Sequence, residues 1–494
     1  MKKRIFIAVF FIILLIPFVG MSVYHADLSI EKKHEEALPS LIRNGRINTG
    51  FFQGITDYVA DHFAFRQEMI TADARIKAGI FHSSANDKVI VGKNGWLFFQ
   101  ETMNDYQKRN LLSDREIHNC ATVVRLIGQG VELQGAEFAF TVAPNKNTLY
   151  GKYMPDRFQT GSGEGNLEHL IREMKAQKVH YVDLQTPLRK EQKQVYHKLD
   201  THWNNLGASI VCGTLLGYFG KDHIHYENES YTRKKNFSGD LQGMLFPKSS
   251  RKDWNVTYDR SWTYEYVNDV TSTEQMEIQT ENQTQRDDQK NAVKEKPKKQ
   301  KKHKSLVMYR DSFGNALVPF MAQEYQKGYF TKEVPYDLSL VDAYQADDVV
   351  IELAQRQIPT LLEGIPYMMA PGVAFDQDVE EITQTEAVME TEEVPGTDGV
   401  LRISGETDKQ WTDDDSEIYI SMYGKKNLLM YEAFPSVYDP MDDKADRAYS
   451  YGAYIDTSSM PADHYQIEII TKKGWKLLYN WISGEICGNI NKIG

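Results

Sequence analysis

The sequence predicts an α/β fold with a mostly parallel sheet and flanking helices, followed by a small C-terminal antiparallel β-domain and preceded by an N-terminal transmembrane helix. Three patterns predict it. Between residues 85 and 365 short apolar strands alternate with amphipathic helical stretches, the signature of a sheet covered on both faces. Beyond residue 400 the apolar period becomes two, with Gly, Pro, Asp and Ser between the runs, as in an antiparallel sandwich. At the start, Lys2, Lys3 and Arg4 stand before an apolar run from Ile5 to about Tyr24.

The N-terminal run is read as a membrane anchor because a span needs about 20 apolar residues, whereas the apolar part of a cleaved signal is shorter, roughly 7–15. Its exit, Phe18-Val19-Gly20-Met21-Ser22, carries no small-x-small signpost, so an uncut anchor is expected over a cleaved signal peptide within residues 1–24. The basic flank stays inside, so the bulk of the chain is expected outside the cytoplasmic membrane, held by a single pass. Residues 25–84 read as helical, with Phe52, Ile55, Tyr58, Val59 and Phe63 at helical spacing.

In the α/β region, Lys88-Val-Ile-Val-Gly92 reads as a strand, and Asn94-Gly95 turns it into Trp96-Leu-Phe-Phe99. Ser113 and Glu116 form a capping-box pair before an apolar-periodic helix that Gly135 can stop. Strands follow at Phe138–Val142, Val179–Asp183, Ser305–Tyr309 and Asp348–Glu352, separated by helices near 167–178, 204–219 and after Gly314. Residues 270–304 are expected to be a disordered insertion, since Ser, Thr, Gln, Glu and Asn dominate and seven lysines crowd Lys294 to Lys304. Residues 376–399, acidic and Thr-rich, read as a linker, and 400–494 as a β-sandwich-like domain with carbohydrate binding as one possible role.

With 494 residues the chain exceeds one ordinary core, and two or three domains are the expectation. A net charge of -12 argues against nucleic acid as a partner, because that binding depends on neutralising phosphates. Cys120, Cys212 and Cys487 lie far apart and make neither a disulfide framework nor a thiolate metal site. His197 and His202, five apart, miss the usual i, i+4 spacing of a helical metal pair, and neither a metal nor a cofactor is expected.

Two stretches can carry chemistry. In Leu199-Asp200-Thr201-His202-Trp203-Asn204, Asp200 can accept the imidazole N–H of His202, leaving the other ring nitrogen to act as base. The plain alternative is a capping Asp beside a surface His. In Met308-Tyr-Arg310-Asp311-Ser312-Phe313-Gly314-Asn315 a strand runs through a turn into a helix, which places Ser312 at the carboxyl end of a parallel strand, where open α/β sheets hold ligands. The helix N-terminus can stabilise a developing oxyanion, and a hydroxyl nucleophile needs a base, for which His202 is the candidate. Here too a bland role exists, since Asp311 or Ser312 can simply cap the helix.

Together the two stretches resemble the SGNH-hydrolase-like acetyltransferases of exopolysaccharide modification, the alginate O-acetyltransferase proteins and the relatives named DHHW. Gly92-Lys93-Asn94-Gly95-Trp96-Leu97-Phe98, Pro144-Asn145-Lys146, Gly239-Asp240-Leu241 and Asp348-Val-Val-Ile-Glu352 add to the resemblance, which covers about residues 45–360. The chain departs from the family in reading Asp-Thr-His-Trp rather than Asp-His-His-Trp, and in having Arg310 where Gly often precedes the Asp-Ser. The resemblance implies an SGNH-like domain at 85–365 and a Ser312, His202, Asp200 triad. It also implies transfer of acetyl groups, through an acetyl-enzyme on Ser312, from a membrane-bound O-acyltransferase to a cell-surface or exported polysaccharide. The Ser312 N–H is the first oxyanion donor expected. Asn145 and Arg310 are further candidates, and Trp203 is a candidate for packing or for stacking on glycan. Two other functions fit the same residues: an esterase that removes acetyl groups with the same triad, and a non-catalytic glycan-binding scaffold of an export machine.

Overall fold

The computed structural model describes residues 2–21, 24, 37–43, 45–283, 304–374, 379–382, 386–439, 441–442, 444–473, 476–480 and 485–487. In chain order, α1 (Lys2–Gly20) is followed by α2 (Phe51–His62), α3 (Arg66–Ile80) and a hairpin of β1 (Val89–Val91) and β2 (Leu97–Phe99). The hairpin turns as Asn94-Gly95 demands, with both residues at positive φ, 54° and 72°. Then come α4 (Asp114–Leu133), β3 (Glu137–Ala143), α5 (Asn166–Ala176), β4 (Tyr181–Val182) and α6 (Asn205–Tyr218). After these lie β5 (Tyr231–Phe237), α7 (Asp240–Leu245), β6 (Asp253–Tyr258), β7 (Tyr264–Tyr266) and β8 (Glu277–Asn282). The α/β region closes with β9 (Ser305–Tyr309), α8 (Gly314–Glu324), β10 (Lys327–Thr331) and β11 (Asp348–Ala354).

The central sheet has seven strands in the order β4-β3-β11-β9-β10-β8-β7. Strands β4, β3, β11, β9 and β10 pair in parallel. Strand β8 adds to β10 antiparallel, and β7 to β8. The sheet is therefore mixed, which corrects the expectation of a mostly parallel one. The difference comes from the insertion expected to be disordered at 270–304: Ile278, Thr280 and Asn282 alternate inward on β8 and are buried against the sheet edge. A polar composition concealed a half-buried edge strand. Residues 284–303, including nearly all of the lysine run, lie outside the described residues.

Continuous apolar runs suit the inner strands because both faces are covered. Phe138, Phe140 and Val142 of β3 join Val307, Tyr309, Val349 and Ile351 in one core with α4 and α5. Ala139, Ala143, Leu306, Met308 and Val350 join the opposite core with α6 and α8. The capping box that starts α4 is formed, Ser113 accepting from the Glu116 N–H and the Glu116 carboxylate accepting from the Ser113 N–H. The three inner strands end side by side at Ala143, Tyr309 and Ala354. The turns leaving that edge carry Ser312 and Arg356.

The C-terminal region forms two sheets. One contains β12 (Val379–Ile382), β15 (Glu417–Tyr423), β16 (Leu428–Glu432), β18 (His464–Lys473), β19 (Lys476–Asn480) and β20 (Glu485–Cys487); the other contains β13 (Val388–Glu393), β14 (Val400–Glu406) and β17 (Ser450–Asp456). Ile403 and Ala453 from one sheet meet Ile418, Ile420, Ile467 and Ile469 from the other in a common core. The segment expected as a linker, 376–399, instead supplies β12, whose partner lies almost a hundred residues later, and β13, which forms a hairpin with β14 and whose acidic, Thr-rich composition masked the strand. Buried Arg115 of α4 ties the sandwich to the α/β domain by donating to the Ser416 and Ala448 carbonyls, and Arg125 pairs with Glu432.

Among the described residues no helix is long and apolar enough to cross a membrane, which corrects the expected transmembrane helix. Its first residues are Lys2, Lys3 and Arg4, Pro17 lies inside, and the apolar part Ile5–Gly20 rises roughly 24 Å, short of the ~30 Å hydrocarbon core.

Candidate active site

The loop carrying Asp200 and His202 is a tight reversal. Tyr196 and Trp203 bridge antiparallel, the His197 N–H donates to the His202 carbonyl at 3.1 Å, and the Asn204 N–H to Val195 at 2.9 Å. Asn204 then caps α6, its Oδ1 accepting from the Leu206 and Gly207 N–H groups. The loop tip is clamped from beneath by buried Lys146, whose ammonium donates to the carbonyls of His197 and Asp200. Burial lowers the pKa of Lys146 to about 8.

Gly239-Asp240-Leu241 closes over the same tip. The Asp240 N–H donates to Asp200 Oδ2 at 2.8 Å, while Asp240 Oδ1 accepts from the Thr201 N–H at 2.8 Å. A side chain on Gly239 would press on the Leu199 carbonyl, so this approach of two backbones needs glycine.

The strand-to-helix turn between β9 and α8 presents Ser312 to this loop. His202 Nε2 lies 2.8 Å from Ser312 Oγ, and His202 Nδ1 lies 2.8 Å from Asp200 Oδ1. The structure thus brings together three side chains that the sequence separates by up to 112 positions. Asp200 Oδ1 also accepts from the His202 N–H at 2.9 Å. Burial opposes charge on both members of the Asp200–His202 pair, yet their mutual attraction and hydrogen bond outweigh it. Asp200 is held well below the usual carboxylate range, and His202 is raised above an ordinary imidazole, helped by the charges of Asp240 and Asp311. Burial, then the charge of Asp200, pushes Asp240 up to about 6.

The turn itself is held by Asp311, which accepts from the Phe313 N–H at 2.7 Å and the Ala354 N–H at 2.9 Å. Arg310 is buried beneath it. Its Nη1 donates to Asn315 Oδ1 at 2.6 Å and its Nη2 to the Gln275 carbonyl at 2.9 Å, so its guanidinium is committed away from Ser312. Asn145 is likewise committed: its Nδ2 donates to Asp105 at 2.7 Å and its N–H to Gln355 at 3.0 Å. Neither residue is among those lining the cavities at Ser312. Trp203 is 1% exposed and packs edge-to-face on Phe313, with ring centroids 4.9 Å apart, so most of the indole belongs to the core.

Two cavities meet at the Ser312–His202 pair. One of about 730 Å3 is lined by Phe237, Gln242, Arg251, Asn315 and Lys332. The other, of about 470 Å3, is lined by Lys88, Phe99, Thr201, Met244 and Arg356. Asp200, His202 and Asp240 offer ligand atoms within 4.8 Å of one another, a spacing that suits a cation. Asp200 Oδ1 and Oδ2 and Asp240 Oδ1 each already accept from a backbone N–H group or the imidazole, which links the trio in a hydrogen-bond relay. In the sequence Asp240 stands out only within Gly239-Asp240-Leu241, with no chemical role attached, and Arg356 does not stand out at all. The available signals were the Gly-Asp-Leu triplet for one, and for the other a position just past an apolar strand.

Residues 89–293 match the family described as "SGNH hydrolase-like domain, acetyltransferase AlgX". The match contains Asp200 and His202, and Ser312 lies beyond it. Among curated proteins the chain is similar to the probable alginate O-acetylase AlgJ of Pseudomonas aeruginosa, 24% identical over 147 residues, 29% of this chain and 36% of that protein. It is also similar to AlgJ of Pseudomonas syringae pv. tomato, 25% identical over 129 residues, 26% and 32% of the two chains. The chain thus spans about a third of the length of these relatives. Similar solved structures include Bacillus cereus PatB1 with a sulfonyl adduct, 18% identical, TM-score 0.41, covering 55% of this chain and 95% of that one. The O-acetyltransferase domain of Pseudomonas putida AlgJ is 15% identical, TM-score 0.35, covering 55% and 92%. A DHHW family protein from Eubacterium siraeum is 14% identical, TM-score 0.38, covering 55% and 94%.

Proposed function

We propose that this protein is an O-acetyltransferase that moves acetyl groups onto a cell-surface or exported polysaccharide through an acetyl-enzyme on Ser312. The carrying observation is the unbroken line Asp200–His202–Ser312, each link 2.8 Å long, opening on two cavities. Such a line supplies what acyl transfer needs: a hydroxyl, a base with one nitrogen free, and a buried carboxylate that fixes the tautomer and stabilises the imidazolium. His202 takes the Ser312 proton as the acetyl-enzyme forms. It then takes the proton of a sugar hydroxyl as the acetyl group moves on, and Asp200 orients it in both steps.

A membrane-bound O-acyltransferase supplies the acetyl group from the cytoplasmic side, and the apolar segment behind Lys2, Lys3 and Arg4 addresses the chain to that membrane with its bulk outside. The family description at 89–293 and the AlgJ relatives support the polysaccharide as acceptor.

The test is to incubate the full chain with an activated acetyl ester and map the adduct by intact mass and peptide sequencing. A 42 Da gain (the mass of an added acetyl group, about 42 Da) on Ser312 that an oligosaccharide acceptor discharges as an acetylated sugar supports transfer. Discharge only to free acetate with the acceptor present makes the protein an esterase. No adduct on Ser312 ends the proposal.

A further inference from the structure

Of the three turns leaving the inner strands, the one after β11 carries Arg356, two residues past Ala354. Its guanidinium lies over the rings of Phe99 and Phe313, 5.4 and 5.9 Å from their centroids, and Phe313 directly follows Ser312. The side chain lines the 470 Å3 cavity that also contains Ser312 and His202. Its Nε and Nη1 are shut off from solvent and meet no acceptor among the described residues.

Arg260 also leaves its Nε and Nη1 without a hydrogen bond, but it lines neither cavity at Ser312, and Arg115 and Arg310 leave only one buried nitrogen each unmet. Arg115 is occupied by two carbonyls, Arg125 by Glu432, and Arg310 by Asn315 and Gln275. Buried donors on a charged group are expensive to leave unmet, and with Nε and Nη1 shut in, Nη2 is the donor left to open on the nucleophile's cavity, where it can meet an oxygen that becomes negative. The aromatic rings hold the cation without consuming its N–H groups, because they attract it through their faces. The residues that the sequence suggested for this task, Asn145 and Arg310, spend their donors elsewhere.

We infer that Arg356 is a catalytic residue that donates to the acyl oxygen of the tetrahedral intermediate, an inference that rests on the acyl-transfer reading of Ser312. Ser312 Oγ attacks the carbonyl carbon of an acetyl ester as its proton passes to His202 Nε2. The carbonyl π pair becomes the oxyanion, which the Arg356 N–H groups and the helix N-terminus hold. Collapse re-forms the C=O, breaks the ester C–O bond, and returns the proton from His202 to the leaving alcohol.

The test compares the full chain with Arg356→Met, Arg356→Lys and Ser312→Ala in pre-steady-state acetylation by p-nitrophenyl acetate. Methionine keeps the apolar stem against Phe99 and Phe313. Arg356→Met is expected to acetylate about 10²–10³-fold more slowly, the usual cost of one oxyanion donor, with KM little changed. Arg356→Lys retains more activity than Arg356→Met, and millimolar guanidinium restores part of the rate to Arg356→Met but none to Ser312→Ala. A wild-type acetylation rate in Arg356→Met, or a loss confined to KM, overturns the assignment. A loss that neither lysine nor guanidinium relieves also overturns it, since it marks a structural role. If Ser312→Ala acetylates like the wild type, the acyl-transfer reading itself fails, whatever Arg356 does.

Discussion

Asp200→Asn changes one atom and leaves the loop its size, which makes it the sharpest probe of the relay. Asp200 Oδ1 accepts from both His202 Nδ1 and the His202 N–H, and Oδ2 accepts from the Asp240 N–H. An asparagine has only one acceptor oxygen, so one set of donors faces an NH2 group. With the amide turned toward the imidazole, His202 must put its proton on Nε2 and can no longer take one from Ser312. With the oxygen turned there, the tautomer survives but the Asp240 N–H is buried against a donor. In either case the imidazolium formed during attack loses its counter-charge, worth about 4 kcal/mol at 4 Å for an effective dielectric of 20. That corresponds to a fall of about 10³-fold in kcat/KM, rising toward about 10⁴ where the wrong tautomer also dominates. The assay is p-nitrophenyl acetate hydrolysis from pH 5 to 9, with thermal melting as the check on folding. The acid limb should also move to lower pH, because the charge of Asp200 is what holds His202 above its ordinary pKa. A variant within a few-fold of wild type, with its acid limb unmoved, would refute the relay.

Three further outcomes are expected. Trp203→Ala should destabilise the fold by roughly 3–5 kcal/mol in urea titrations, as an indole 1% exposed must, whereas a glycan-stacking role predicts near-normal stability and a raised KM for the acceptor alone. Gly239→Ala should lower kcat strongly with a smaller loss of melting temperature, since the added methyl meets the Leu199 carbonyl next to Asp200; unchanged turnover would show that the loop gives way freely. Arg115→Ala should cost about 3 kcal/mol and lower the unfolding cooperativity between the two domains, because the Ser416 carbonyl loses its donor and Ala448 keeps only Asn119; identical unfolding curves would deny the tether.

Much of this arrangement was legible in the chain because it is local. Ser113 with Glu116 announces α4, Asn94-Gly95 announces the hairpin, and the apolar runs at 138–142, 305–309 and 348–352 announce strands buried on both faces. Asp200, His202 and Ser312 stood out because a short polar motif at a strand end or helix start has few structural uses. What stayed hidden depends mostly on partners far along the chain. Strand β8 has one apolar residue, Ile278, set opposite Phe330 of β10, and its other buried residues, Thr280 and Asn282, are polar. Strand β12 looks like an acidic linker until it pairs with Leu477–Asn480, while β13 pairs with its neighbour Leu401–Glu406 and was concealed by its charge rather than by distance. Arg356 resembles any arginine after a strand, since its meaning comes from Phe99, more than 250 residues earlier, and from the acceptor it lacks. Asn145 and Arg310 lie near the right strand ends, and proximity in sequence does not say which way a side chain is already bound.

The second carboxyl at the relay decides how the enzyme responds to pH. Asp200 and Asp240 both approach one edge of His202, at 2.8 and 4.0 Å from Nδ1. Two buried carboxylates that close do not both ionise cheaply, and the N–H groups settle which one does. Asp200 receives the imidazole and two backbone donors and stays ionised, while Asp240 is pushed up to about 6. Asp240 therefore changes charge near pH 6, and because it lies beside the imidazole the acid limb belongs to the group as a whole rather than to His202 alone. The sign follows from the charges. Ionised Asp240 raises the His202 pKa, so removing that charge lowers it and carries the acid limb to lower pH. Asp240→Asn makes that change while its Oδ1 still accepts from the Thr201 and Leu241 N–H groups and its own N–H still reaches Asp200. The variant should keep most of its activity at pH 8, outperform the wild type relative to that value at pH 6, and show a steeper-to-single-proton simplification of the limb. A limb that stays put, or moves to higher pH, would mean that Asp240 is already neutral or too well screened to act on the imidazole, and the raised basicity of His202 would then rest on Asp200 and Asp311 alone.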